Sequence, residues 1–310
     1  MKINLANIKK AKNLLNKDQC IAIPTETVYG IAGNAYSDRA CKKIFKLKKR
    51  PKNNPLIIHY YDDEQLRRDC IFNKNFLKLY KKFCPGPITF ILDLNKNSKI
   101  SKFVNNKSNN IAVRFPKHPV TRSLLKRLQF PLAAPSANLS SKVSAVSSMD
   151  VKEDFGKKIK YILEGGKSSI GLESTIIDLR NNPKILRLGA LEISSIEKVL
   201  NEKVVINNNP SKILSPGQLK LHYSPGIPIK LNVKKVKDNE AYLLFKKAKV
   251  NKPNYYFLSK NGNLKEAARN LYSTLRKIKK NKYKFISVAK IPNKGLGKTI
   301  NDRLIRASKF

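Results

Sequence analysis

The stretch from Cys20 to Tyr60 constrains the fold more than any other. An apolar run, Cys20-Ile-Ala-Ile23, stops at Pro24 and passes into Thr25-Glu-Thr-Val-Tyr-Gly30. Proline and hydroxyl residues directly after a strand make a loop whose backbone and side chains can face a ligand. A helical period follows from Asp38 to Lys49, with Ser37 or Asp38 as N-cap and Ala40, Ile44, Phe45 and Leu47 at apolar positions. Lys48 and Arg50 lead into a turn bounded by Pro51 and Pro55, and a second apolar run, Pro55 to Tyr60, carries His59 near its end. Two strand ends and a basic turn converging on one place describe an α/β sheet with an anionic-ligand site.

The same alternation continues along the chain. Apolar positions Leu5, Ile8, Ala11, Leu14 and Leu15 predict an opening helix. A helix over 75–83 stops at Cys84-Pro-Gly-Pro87, and 88–94 reads as a strand. Residues 95–110 are an Asn/Ser/Lys-rich loop, and 111–115 is a short strand with Arg114 inside it. An arginine in an apolar strand needs a carboxylate, from the protein or from a ligand. A helix over 121–128 precedes Pro131-Leu-Ala-Ala-Pro-Ser-Ala-Asn138, a strand ending in small residues, and a Ser/Lys/Val loop runs on to Ser148. Strands are expected at 160–163, 173–179 and 185–190. Residues 201–226, rich in Asn, Pro and Gly, read as a linker between a domain over 1–200 and a smaller α/β domain over 227–310. That second unit is expected to have strands at 229–233, 241–245, 255–258 and 285–291, with helices over 264–279 and 298–308.

The chain has 64 Lys+Arg against 21 Asp+Glu, a net charge of +43. A polyanion partner such as RNA would explain that excess. The lysines are spread over the whole length beside many Asn and Ile residues, which is the mark of biased base composition instead. Cys20, Cys41, Cys70 and Cys84 form neither a CxxC pair nor a zinc spacing and read as reduced thiols of a cytoplasmic protein. No uninterrupted apolar segment follows Lys9, Lys10 and Lys12, so no signal peptide is expected, and no apolar run approaches the ~20 residues of a membrane span.

Gly295-Leu-Gly297-Lys298-Thr299 imitates the end of a phosphate-binding loop, but the position five before Gly297 is Pro292, so a helix-capping turn is the better reading. Lys167-Ser168 fails likewise, because position 161 is Tyr. His118 and His222 stand too far from other donors for a metal triad, and no metal site is expected.

Taken together, the segments resemble the threonylcarbamoyl-AMP synthases of the YrdC-domain type with a C-terminal extension. The matching pieces are Pro24 to Gly30, Lys48-Lys-Arg-Pro51, Asn54-Pro-Leu-Ile-Ile-His59, Pro85-Gly-Pro-Ile-Thr89 and Ile111-Ala-Val-Arg-Phe-Pro116. They continue with Pro135-Ser-Ala-Asn138, Glu173-Ser-Thr175, Leu186-Arg-Leu-Gly189 and Ser215 to Pro225. Each is short, but their joint order over nearly the whole chain is specific.

The resemblance implies a twisted, open, mixed sheet with a basic concavity, a linker able to cover it, and a small Rossmann-like second domain. It implies that L-threonine, bicarbonate and ATP give threonylcarbamoyl-AMP and pyrophosphate, with Mg2+ accompanying the ATP. A separate transferase complex then carries the group to tRNA. Carried over by motif position, Thr27, His59, Arg114, Ala134 and Ser174 line the threonine side, with Arg114 on the substrate carboxylate. Arg50, Asn54, Asn110, Ser136, Ser144 and Arg187 hold ATP, Lys48 and Arg50 supply positive charge at the reacting phosphates, and Tyr223 closes over the nucleotide. The rival reading is a protein that binds structured RNA in the basic concavity, and direct contact with tRNA is open on either reading.

Overall fold

A computed structural model describes residues 3–105, 108–207, 222–250 and 252–309. Residues 208–221, which carry most of the expected linker and the Ser215-Pro216-Gly217 part of its motif, lie outside them.

The opening helix α1 (Leu5–Asn16) is capped by Asn4, whose side chain accepts from the Asn7 amide, and it buries Ile8, Ala11 and Leu15 at helical spacing. β1 (Ile21–Ile23) turns back into β2 (Gly30–Asn34) as an antiparallel pair. Ser37 caps α2 (Asp38–Lys48), and Lys49 ends it in the left-handed conformation. β3 (Ile57–His59), α3 (Asp63–Arg67), β4 (Cys70–Ile71), α4 (Lys74–Phe83) and β5 (Ile88–Leu94) follow. Next come β6 (Asn110–Arg114), α5 (Pro119–Leu125), β7 (Leu132–Ala133) and α6 (Ser148–Phe155). β8 (Thr175–Asp178), β9 (Lys184–Arg187), α7 (Ile193–Leu200) and β10 (Val205–Ile206) complete the first unit.

The strands make one mixed sheet in the order β1-β2-β7-β3-β6-β5-β8-β9-β10, with β4 beside β5. β7 slots between β2 and β3, so the segment ending in small residues lies beside His59. The main core packs Phe76, Phe90, Phe115, Ile58 and Val113 between this sheet and its helices.

The second unit is a parallel sheet, β11-β14-β12-β13, formed by β11 (Ile229–Lys230), β12 (Glu240–Lys246), β13 (Tyr255–Ser259) and β14 (Phe285–Val288). Helices α8 (Leu264–Lys280) and α9 (Leu296–Ala307) cover it. Its apolar core continues into the first unit through Val28, Val143, Val146 and Leu172. The two units are therefore packed together.

Three expectations are corrected. Residues 160–163 form no strand, only a single bridge from Ile162 to Ala22. Residues 205–206, assigned by composition to the linker, pair in parallel with β9 and extend the large sheet. β2, α6 and α7 are additional elements, although Ser147 and Asp150 form a capping box at the start of α6. Residues 295–299 open α9, as expected of a helix-capping turn, and Thr299 Oγ1 donates to the Gly189 carbonyl at 3.0 Å, so it joins the two units.

Candidate active site

Parallel pairing of β3 with β6 places His59 opposite Arg114, and antiparallel pairing of β5 with β6 places Thr89 on the other side of Arg114. Arg114 donates from Nη2 to Glu26 Oε1 at 2.7 Å, and Glu26 Oε2 accepts the Lys117 amide at 3.0 Å. Both side chains are buried. Arg114 Nε is buried without a partner among the described residues and so is placed to meet a further anion. His59 Nδ1 is also buried and has no hydrogen-bond partner among the described residues. Burial, reinforced by the Arg114 charge, holds the His59 pKa well below that of an ordinary imidazole, so the ring is neutral. The Thr25 and Thr27 hydroxyls lie 2.8 Å apart, and the amides of Thr27 and Val28 donate to Thr25 Oγ1. This turn folds the motif loop over the strand ends. Ser174 Oγ lies 2.7 Å from Thr89 Oγ1.

The cationic side faces this corner. Arg50 donates to the Asn54 carbonyl, the Asn54 amide oxygen and the Pro55 carbonyl at 2.6–2.8 Å. Lys48 Nζ donates to the carbonyls of Ser136 and Asn138. Among the described residues no carboxylate pairs with Lys48 or Arg50, although both are buried. Burial and the neighbouring Arg50 charge push the Lys48 pKa well below its ordinary value; burial and Arg187 do the same to Arg50. An anion placed between them would relieve both. Arg187 donates to the carbonyl and hydroxyl of Ser174 at 2.9–3.1 Å. Gly189, two residues on, lies so close to Ser174 and Thr175 that a Cβ would overlap their backbone.

Ser144 donates to Glu173 Oε1 at 2.6 Å, and Tyr272 and Arg303 of the second unit bind the same carboxylate. Burial alone would raise the Glu173 pKa, but the Arg303 and Arg187 charges and the Ser144 hydroxyl hold it at about 2. His222 and Tyr223 fill the mouth of the site. Their rings are 4.0 Å apart, and the Arg303 guanidinium sits 4.7 Å from the Tyr223 ring. Among the described residues, Tyr223 Oη and His222 Nδ1 are buried without partners. The remaining space, about 30 Å³, would hold one water. A nucleotide site needs several hundred cubic ångströms, on the order of 300 or more. His222 and Tyr223, from the end of the expected linker, thus form part of the wall of this narrow space.

One cavity brings together Arg50, His59, Arg114, Ala134, Ser136, Arg187 and Tyr223. Thr27, Asn54, Ser144, Ser174 and Lys48 stand directly behind its wall, each hydrogen-bonded to a residue that lines the cavity. Asn110 does not join them. It opens β6, pairs with Asp93, and lies about 13 Å along the strand from Arg114 at strand rise. Glu26, Glu173, His222, Tyr272 and Arg303 were given no site role from the sequence, because their roles depend on partners far away in the chain. No cluster of metal-ligating side chains occurs among the described residues.

The family model described as Telomere recombination (Sua5_yciO_yrdC) matches residues 13–189, and the model described as Threonylcarbamoyl-AMP synthase, C-terminal domain (Sua5_C) matches residues 191–309. The chain belongs to the threonylcarbamoyl-AMP synthase family. A family member from Pyrococcus abyssi is 33% identical over 98% of this chain and 94% of its own length, and one from Bacillus subtilis gives the same figures. The crystal structure of P. abyssi Sua5, a protein complexed there with L-threonine, superposes with a TM-score of 0.91 at 32% identity, covering 99% of this chain and 96% of that one. The two-unit, mixed α/β architecture is thus that of the synthase family. No helix of the described residues is long and apolar enough to cross a membrane.

Proposed function

We infer that this chain is a threonylcarbamoyl-AMP synthase, a nucleotidyltransferase that makes L-threonylcarbamoyl-AMP and pyrophosphate from L-threonine, bicarbonate and ATP. The observation that carries this reading beyond family membership is a buried group of cations, Lys48, Arg50 and Arg187, next to an Arg114 with an open Nε. A polyanion and a carboxylate are the ligands that suit such a set of cations.

In this reading the threonine carboxylate meets Arg114, with Thr27, His59, Ala134 and Ser174 shaping the side-chain room. The threonine amine captures carbon dioxide as a carbamate. A carbamate oxygen then attacks the α-phosphorus of ATP, forming the new P–O bond as the bond to pyrophosphate breaks. Lys48, Arg50 and Arg187 neutralise the phosphates, with Asn54 holding Arg50, while Ser136 and Ser144 give neutral contacts. Such a transfer needs positioning and charge compensation more than a covalent nucleophile. MgATP is the substrate form, and Tyr223 must leave the cavity for it to enter. The product would pass to a transferase complex that modifies tRNA.

The test is product formation from labelled ATP, bicarbonate and L-threonine, beside L-serine and no-amino-acid controls. Threonine-dependent adenylate and pyrophosphate are expected, and both should vanish in Arg114→Ala. Turnover without threonine dependence would overturn the reading.

A further inference from the structure

The second unit reaches the nucleotide side of the cavity through one carboxylate. Glu173 lines that cavity and immediately precedes Ser174, which Arg187 grips. Ser144 of its own unit donates to it, but its other partners come from across the junction. The Tyr272 hydroxyl of α8 lies 2.8 and 3.0 Å from its two oxygens, and Arg303 of α9 donates from Nε at 2.9 Å. Arg303, 1% exposed, also donates to the Leu188 carbonyl at 2.6 Å. Glu173 is thus a buried carboxylate on the wall of a space read as taking a triphosphate.

Other contacts also fasten the units together. Arg276 forks onto Asp154 at 2.7 and 3.0 Å and binds the Val143 carbonyl at 2.8 Å, Lys280 pairs with Glu153 at 2.5 Å, and Thr299 binds Gly189 at 3.0 Å. The Val28, Val143, Val146 and Leu172 contacts supply the apolar part of the junction. Arg303 and Tyr272 instead address a charge that would otherwise oppose a polyanion. In a water-poor site, an unpaired carboxylate repels phosphate strongly.

We propose that the second domain is an electrostatic cover of the nucleotide site, in which Arg303 and Tyr272 act as positioning residues that neutralise Glu173 and so admit a nucleoside triphosphate. This rests on the synthase reading and gives the second domain a role in it. By linkage, the bound triphosphate favours the docked arrangement to the same degree that docking favours the triphosphate.

The test uses the full chain and titration calorimetry with ATP and, separately, with L-threonine. Scattering in solution reports whether the units stay docked. Arg303→Met should weaken ATP binding about ten- to a hundredfold, leave L-threonine affinity within about twofold, and keep the radius of gyration. The double variant Arg303→Met with Glu173→Gln should recover most of the lost ATP affinity, because the offending charge is gone. Tyr272→Phe, which removes only a hydroxyl, should weaken ATP binding severalfold in the same selective way, and it carries the test if Arg303→Met does not fold. The proposal is overturned if these variants bind ATP like the parent chain. It is equally overturned if threonine affinity falls in step, or if neutralising Glu173 restores nothing. A parent chain that binds neither ATP nor threonine would defeat the synthase reading itself, a separate result.

Discussion

Glu26 is the carboxylate that pairs with Arg114 among the described residues, at 2.7 Å, with the two side chains 7% and 5% exposed. Glu26→Gln keeps an oxygen for Nη2 but removes the charge, leaving a buried guanidinium uncompensated. Breaking such a pair costs about 3 kcal/mol or more, a large share of the roughly 5–15 kcal/mol that holds a domain folded. In a chain of this size that lowers the melting temperature by about 5 °C. The structure adds a second expectation. Threonine brings a carboxylate to the same arginine, so it should raise the melting temperature of Glu26→Gln more than that of the parent chain. L-threoninol, which keeps the amine and hydroxyl but has no carboxylate, should show no such excess. Thermal melts at neutral pH with and without each compound measure both effects. If Glu26→Gln melts within a degree or so of the parent, or threonine and threoninol behave alike, the assignment of Glu26 as charge partner and of Arg114 as carboxylate receptor is refuted.

The depressed pKa of Glu173, about 2, means that its contribution to stability is complete above the ordinary carboxylate range near 4.5. That contribution is lost as pH falls toward 2 and amounts to about 3 kcal/mol; denaturant titrations from neutral to acid pH should show this slope, flattened in Glu173→Gln. Tyr223→Ala vacates the mouth of the cavity and should speed association of a fluorescent ATP analogue severalfold in stopped flow, since the parent must first expel the ring; an unchanged association rate would count against the linker as occupant. Gly189→Ala pushes a Cβ into the Ser174–Thr175 backbone and should cost about 1–3 kcal/mol in denaturant melts, with loss of threonine affinity. Asn110→Ala should leave ATP affinity within about twofold in calorimetry, because Asn110 lies at the far end of β6 from the cavity.

The elements that sequence periodicity marks clearly are those with an unbroken apolar pattern, such as β5 and α8, whose extents match within a residue. β2 escapes because Gly30-Ile-Ala-Gly-Asn34 has too little β-propensity to stand out; it is a strand because β1 and β7 flank it. The expected strand at 160–163 has an apolar centre but only one edge contact, with Ala22. Arg114 is legible as a site residue because an arginine in an apolar strand demands an explanation. Glu173 is not, since its chemistry is set by Arg303 and Tyr272, which only tertiary packing brings to it. Asn110 was placed at the site by its position beside the Arg114 motif, and the extended geometry of β6 carries it away. The blocked mouth is likewise invisible in the sequence, which marks His222 and Tyr223 as neighbours but not as an occupant.

The strand order has a kinetic consequence. β7 inserts between β2 and β3, registering Ala133 on both Gly33 and Ile58, and β8 pairs with β5 through Thr175 on Ile88. The strands that carry His59 and Arg114, and the strand that Ser174 precedes, are therefore closed by contacts between segments distant in the chain. Such non-local pairings form late and slowly, after loop closure has been overcome. Partly folded chains should thus have helices and local hairpins before they have any site. Recovery of ligand binding on refolding should track the last and slowest phase, with no early, half-competent species.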